Sequence, residues 1–224
     1  MGMAVVPSAD PVGTLRGFRQ AVYDTFGARR DALFELLDAL LTAGAVPSPV
    51  HLSLAAAHRR GHGSLYAALA RGEIPTAAVE RLLAAQPLPL EGGDVAICAV
   101  DGSVWARCDA ETSPARGFSH HPSRHSHGQP IVAGWLYQWV AQVRLTADSW
   151  TAPVSVERVP PGTNLNAVAA AQVRRVVARR PTDGRLPRFV FDAGYDPVPL
   201  TQGLDLAVRG QPVRMLRTGW MVGG

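Results

Sequence analysis

The chain has 224 residues, enough for one sizeable hydrophobic core and a small second lobe. With 47% hydrophobic and 18% charged residues, its composition excludes a disordered or low-complexity class. All 22 basic residues are arginine, and the +4 excess falls late: residues 1–93 carry 8 Arg against 8 acids, residues 94–224 carry 14 against 10 (14 − 10 = 4).

An all-arginine set suits bidentate contacts to phosphate, and a bias toward GC-rich codons produces it equally well. The two cysteines, Cys98 and Cys108, form no Cys-x-x-Cys pair, so a reducing, cytoplasmic setting fits and no disulfide framework is needed. The opening MGMAVVPSADP lacks the layout of a secretory signal. The richest apolar run, Leu33 to Leu41, is interrupted by Glu35 and Asp38, so no membrane span is expected.

In chain order, the first ninety residues read as helices. Asp31 is placed to cap a segment in which Leu33, Phe34, Leu36, Leu37, Leu40 and Leu41 recur at helical spacing. Gly44 and the Pro47-Ser48-Pro49 cluster end it. A second helix is expected over Val50 to His58 and a third over Ser64 to Ala70, joined by the basic turn Arg59-Arg60-Gly61-His62-Gly63. Pro75 is suited to open a fourth, with Val79, Leu82 and Leu83 as its apolar stripe. Two helices around a short basic turn resemble a helix-turn-helix, which makes Arg59 and Arg60 candidate DNA contacts; an ordinary helical packing unit is the alternative. Gln86-Pro87-Leu88-Pro89 reads as an extended linker, giving a helical lobe over 1–86 and a linker over 87–93.

The pattern then changes. Val95 to Val100 is a continuous apolar run ending in Asp101, read as a strand buried on both faces. A polar stretch from Asp109 to Gln129 follows, and its segment Phe118 to His127 holds four histidines. Their spacing matches no common zinc pattern; a loop in which Arg124 contacts DNA phosphate, or a plain solvent loop, accounts for it. Ile131 to about Leu145 is expected as a long strand carrying Trp135, Tyr137 and Trp139 on alternate positions, for core packing or for stacking on bases. Pro153 precedes another strand, which Pro160-Pro161-Gly162 ends. A helix capped by Thr163 or Asn164 buries Leu165, Val168, Ala169, Val173, Val176 and Val177, and the arginines at its end suit the negative dipole terminus. Phe189-Val190-Phe191 is a short buried strand ending in Asp192.

A strand–helix–strand crossover returns parallel. If the first strand and the Phe189 strand pair, Asp101 and Asp192 emerge side by side, where open α/β sheets place their sites. Paired carboxylates suit a hard divalent cation and phosphoryl transfer; capping of the following turns is the other use for them.

Several motifs in one order resemble the DDE-type transposases of bacterial insertion sequences. They are the stretch Ala99 to Asp109, the run His58 to Tyr66, Gly134 to Tyr137, Ser149 to Ala152, and Asp192-Ala193-Gly194-Tyr195-Asp196. The resemblance covers most of residues 30–203. It implies an α/β fold with an N-terminal helical lobe followed by a partial RNase H-like mixed sheet and flanking helix. It also implies a Mg²⁺ or Mn²⁺ cofactor, transposon-end DNA as partner, a nucleoid-associated location and a possible homo-oligomer. Asp101 and Asp192 are carried over as first and second metal ligands and catalytic residues, with Asp196 as a turn or helix-start residue. The core is expected over 94–203. Residues 204–224 read as a divergent, truncated tail without a third acidic ligand, so the chain is expected not to transpose alone. The competing readings are a DNA-binding remnant without catalysis and an unrelated Mg²⁺-dependent phosphohydrolase; the latter calls for a second Asp where Ser103 stands.

Overall fold

The structure is a computed structural model, described here for residues 10–46, 48–88, 95–120, 131–144, 150–179, 186–204 and the backbone of 215–217. The chain divides into two compact units, Val6–Leu82 and the part from Leu83 onward. The class is α/β, with a helical unit followed by a mixed sheet and flanking helix of the partial RNase H-like kind.

The helical unit opens with α1 (Pro11–Thr25), which the sequence reading did not place. Its signal was present: Asp10 accepts the Gly13 N–H at 2.7 Å and Pro11 occupies the first turn, a strong start signal. Helix α2 (Arg30–Thr42) buries Ala32, Leu33, Leu36 and Ala39. Asp31 is not its cap: Arg29 holds that position in a left-handed conformation, and the Asp31 carboxylate accepts the Tyr23 hydroxyl at 2.6 Å. Helix α3 is a single turn (Pro49–Leu52), not the longer helix expected over Val50 to His58. Tight turn bonds follow it, Leu54 N–H to His51 and Ala55 N–H to Leu52, and the Ser53 hydroxyl bonds the Val50 carbonyl. The helix-turn-helix hairpin is therefore not formed before α4 (His62–Arg71). Helix α5 (Thr76–Ala84) follows Pro75, whose carbonyl accepts the N–H groups of Ala78 and Val79. Leu88, in the segment read as a linker, is buried in the core of the second unit.

In that unit β1 runs from Ile97 to Ala106, past the expected stop at Asp101. Its burial alternates, with Cys98 and Val100 buried and their neighbours partly exposed, so one face carries the core. Strand β2 (Gly117–His120) lies within the stretch read as loop; residues 121–130, with Arg124 and the remaining histidines of that cluster, are outside the described residues. Strands β3 (Ile131–Val143) and β4 (Thr151–Val159) follow. Pro153 lies inside β4 instead of before it, beside a register shift at Val140/Ala141, where a missing N–H costs the ladder least. Helix α6 (Leu165–Arg179) is capped by Asn164, whose Oδ1 accepts the Asn166 and Ala167 N–H groups at 2.9 and 3.3 Å. Strand β5 (Arg188–Phe191), helix α7 (Pro197–Leu204) and strand β6 (Met215–Arg217) are the last described elements.

The six strands order as β2-β3-β1-β5-β6, with β4 also on β3. Gly134 is flanked by Ala106 of β1 and Gly117 of β2, and a Cβ there would fall 2.2 Å from the Trp105 carbonyl oxygen, so only glycine fits. Strand β1 is antiparallel to β3 and parallel to β5, and β5 is parallel to β6. Residues Ala169, Ala170, Val173, Val176 and Val177 of α6 pack on Cys98, Val100, Val140, Val154, Phe189 and Phe191 to form the core. Each of the valines and phenylalanines among them contributes roughly 1.5–3 kcal/mol of burial.

Candidate functional site

The crossover through α6 places β5 beside β1 in parallel, and the last paired residues are Val100 and Phe191. The next residue on each chain is an aspartate. Asp101 and Asp192 are thus neighbours in register, at the point where β1 continues alongside β3 and the other chain turns away. Both are exposed. Alternation puts Asp101 on the face away from α6, opposite Trp139 of β3.

Each carboxylate is steadied by the backbone that follows it. Asp101 Oδ1 accepts the Gly102 N–H at 2.7 Å, and Asp192 Oδ1 accepts the Gly194 N–H at 3.0 Å. Among the described residues neither forms an ion pair with arginine. Although Asp101 is exposed by surface area, partial burial of its carboxyl raises it above its ordinary range, the Gly102 N–H opposes this, and the charge of Asp192 adds to it. The two like charges therefore repel, and no described arginine pairs with either. Their remaining oxygens are hard donors suited to a divalent cation. Among the described residues no third His, Cys, Asp or Glu joins them.

A buried polar chain lies behind the pair. Gln138, fully buried on β3, donates from Nε2 to the Asp101 main-chain carbonyl at 3.1 Å and accepts the Tyr195 hydroxyl on Oε1 at 2.7 Å. Gln172 of α6 donates to the Gln138 carbonyl at 3.2 Å and to the Ser155 hydroxyl at 2.9 Å. Burial pushes the Tyr195 phenol far up; its bond to Gln138 opposes this, and the charges of Asp101 and Asp192 add to the rise, so it stays a donor. Neither Gln138 nor Tyr195 was singled out from the sequence. The signals were a lone amide amid the aromatic strand residues and the tyrosine of the Asp192 motif.

Asp196 is a helix-start residue, as expected: its Oδ1 accepts the Val198 N–H at 3.0 Å at the head of α7, and its own N–H bonds Asn166 Oδ1 at 3.0 Å. Arg59 and Arg60 meet acids of α2. Glu35, buried, accepts from the Arg59 guanidinium at 3.4 Å and the Arg59 N–H at 3.3 Å, and pairs with Arg60 at 3.3 Å; Arg60 also reaches Asp31 at 3.6 Å. The Arg59 side chain remains 80% exposed. Trp135, Tyr137 and Trp139 are half-buried and outside the core cluster, with the Arg158 and Arg107 guanidinium groups 4.7 and 5.8 Å from the Trp135 ring. No described helix is long and apolar enough to cross a membrane.

Comparison with known proteins gives one family: the model for the DDE superfamily endonuclease matches residues 21–218, taking in both aspartates, the C-terminal end of α1, and β6. No curated protein and no solved structure matches the chain.

Proposed function

We propose, from the premise that this chain belongs to the DDE superfamily of endonucleases, that it is the catalytic region of a transposase of a bacterial insertion sequence, with Asp101 and Asp192 as its metal-binding carboxylates. The observation that carries this reading is the register: Val100 pairs with Phe191, and an aspartate follows each. The pair fits a hard divalent cation because each acid keeps an oxygen free of described partners and no described arginine neutralises either. When bound, Mg²⁺ or Mn²⁺ supplies positive charge to the phosphoryl oxygens during strand cleavage and joining. The chain's own part is to hold two acceptor oxygens in place, Asp101 by the Gly102 N–H and Asp192 by the Gly194 N–H.

DNA is the substrate implied by the family, with transposon ends as its specific form. In the helical unit Arg59 is the better placed phosphate contact, since its side chain is mostly exposed; Arg60, half-exposed and shared between Glu35 and Asp31, contributes less. Arg124 completes the proposed contacts from outside the described residues. A homo-oligomer and a nucleoid-associated location are compatible with this role.

A second reading is that residues 1–224 bind end DNA and leave it uncut; among the described residues no third His, Cys, Asp or Glu lies beside the pair. An assay with purified protein, Mn²⁺ and end-bearing DNA separates the two. Retarded but uncut DNA is the expected result. Cleavage that Asp101→Ala abolishes would show that these residues suffice, and DNA that is neither bound nor cut would remove the transposase reading.

A further inference from the structure

We propose that Tyr195 and Gln138 form a positioning bridge that sets the separation of Asp101 and Asp192 for a shared divalent cation, an inference that rests on the metal reading above. The strand ladder cannot set that separation by itself. Pairing between β1 and β5 ends at Val100 and Phe191, one residue short of each acid. Beyond that point β1 is held by β3 alone, and the chain after Phe191 turns toward α7.

What spans the gap is the side chain of Gln138. Its Nε2 donates to the carbonyl of Asp101, and its Oε1 accepts the hydroxyl of Tyr195, three residues beyond Asp192. The Tyr195 N–H returns to the Asp192 carbonyl at 3.4 Å, closing the turn that carries the second acid. The Gln138 main chain is tied in turn to α6 through Gln172. The Tyr195 ring packs edge-on against Phe191, with centroids 5.4 Å apart, so removing only its hydroxyl leaves its packing in place. Buried amides and hydroxyls add little net stability over a well-packed apolar side chain, but they fix geometry when fully paired. A bridge joining the chain segments of two like charges has that geometric use: it holds together groups that otherwise repel.

The experiment is Mn²⁺ titration of the full 224-residue protein, followed by the electron paramagnetic resonance signal of free Mn²⁺, with circular dichroism and melting as fold controls. The variants are Asp101→Asn, Tyr195→Phe, Gln138→Met and the Tyr195→Phe/Gln138→Met pair. Asp101→Asn is expected to abolish site binding. Tyr195→Phe and Gln138→Met are each expected to weaken it about tenfold, the scale on which partners of metal ligands act. The double variant should lose about the same tenfold, because one bridge is broken once. Each single variant decides alone where the other does not fold. Folded Tyr195→Phe or Gln138→Met protein that keeps wild-type Mn²⁺ affinity, while Asp101→Asn loses it, overturns the bridge and leaves the metal reading standing. No Asp101-dependent Mn²⁺ binding in the wild type overturns both.

Discussion

The two units treat their charges in opposite ways. In the helical unit the acids of α2 are matched: Asp38 meets Arg19 at 2.7 Å, and Glu35 and Asp31 meet Arg59 and Arg60. In the sheet unit Asp101 and Asp192 are neighbours in register with no described arginine, and the described partner of each carboxylate is a backbone N–H that follows it. Matched charges serve local structure, and the basic turn that suggests DNA contact on sequence alone is in large part the anchor of a buried glutamate. Unmatched like charges cost stability, and a fold that keeps them adjacent leaves room for a cation from outside.

The sharpest way to break this contrast is to remove the anchor. Glu35→Ala should destabilise the helical unit by about 2–3 kcal/mol, below the full cost of breaking a buried pair because both guanidinium groups are partly exposed. The sheet unit should keep its Mn²⁺ affinity, and thermal unfolding with Mn²⁺ titration checks both. A change below about 0.5 kcal/mol would mean that the basic turn is not an anchor. In the sheet unit, Asn164→Ala removes the α6 cap and should cost about 1 kcal/mol in urea unfolding. Asp38→Ala, which leaves the partly exposed Arg19 unpaired, should cost about 0.5 kcal/mol.

The smallest effect has the opposite sign. Folding raises the Asp101 carboxyl, first through burial and then through Asp192, against the Gly102 N–H. The folded state therefore holds that proton more tightly than the unfolded chain does. Metal-free protein gains stability as pH falls through the raised value toward the ordinary carboxylate range, and loses it as pH rises. Asp101→Asn should remove this slope and raise the metal-free melting temperature at neutral pH by roughly 1–2 °C. A melting temperature lower than wild type would show that the carboxylate is not held at a cost.

Much of the sheet unit was legible because its signals are local and strong. The Phe189 strand, the α6 stripe and the aromatic alternation of β3 each specify an element, and the crossover rule then brings Asp101 beside Asp192. Other features depend on partners distant in sequence. Strand β1 continues past Asp101 because β3 pairs with it to Ala106, which no run of apolar residues reveals. Strand β2 exists because the β3 segment from Ile131 to Gly134 offers it an edge, although its own residues read as loop. Strand β6 lies in the tail read as divergent, where β5 offers a parallel edge. The Arg59-Arg60 turn looked free because Glu35 lies 24 residues earlier. Gln138 and Tyr195, 57 residues apart, become a pair only once the sheet is assembled.

The central claim is that Asp101 and Asp192 share a divalent cation, and crystals soaked in MnCl₂ test it most directly by anomalous scattering. The account predicts a peak within about 2.0–2.5 Å of one carboxylate oxygen from each residue, absent from Asp101→Asn crystals. Well-ordered Asp101 and Asp192 side chains with no peak between them, at Mn²⁺ concentrations that load other carboxylates of the chain, would contradict it.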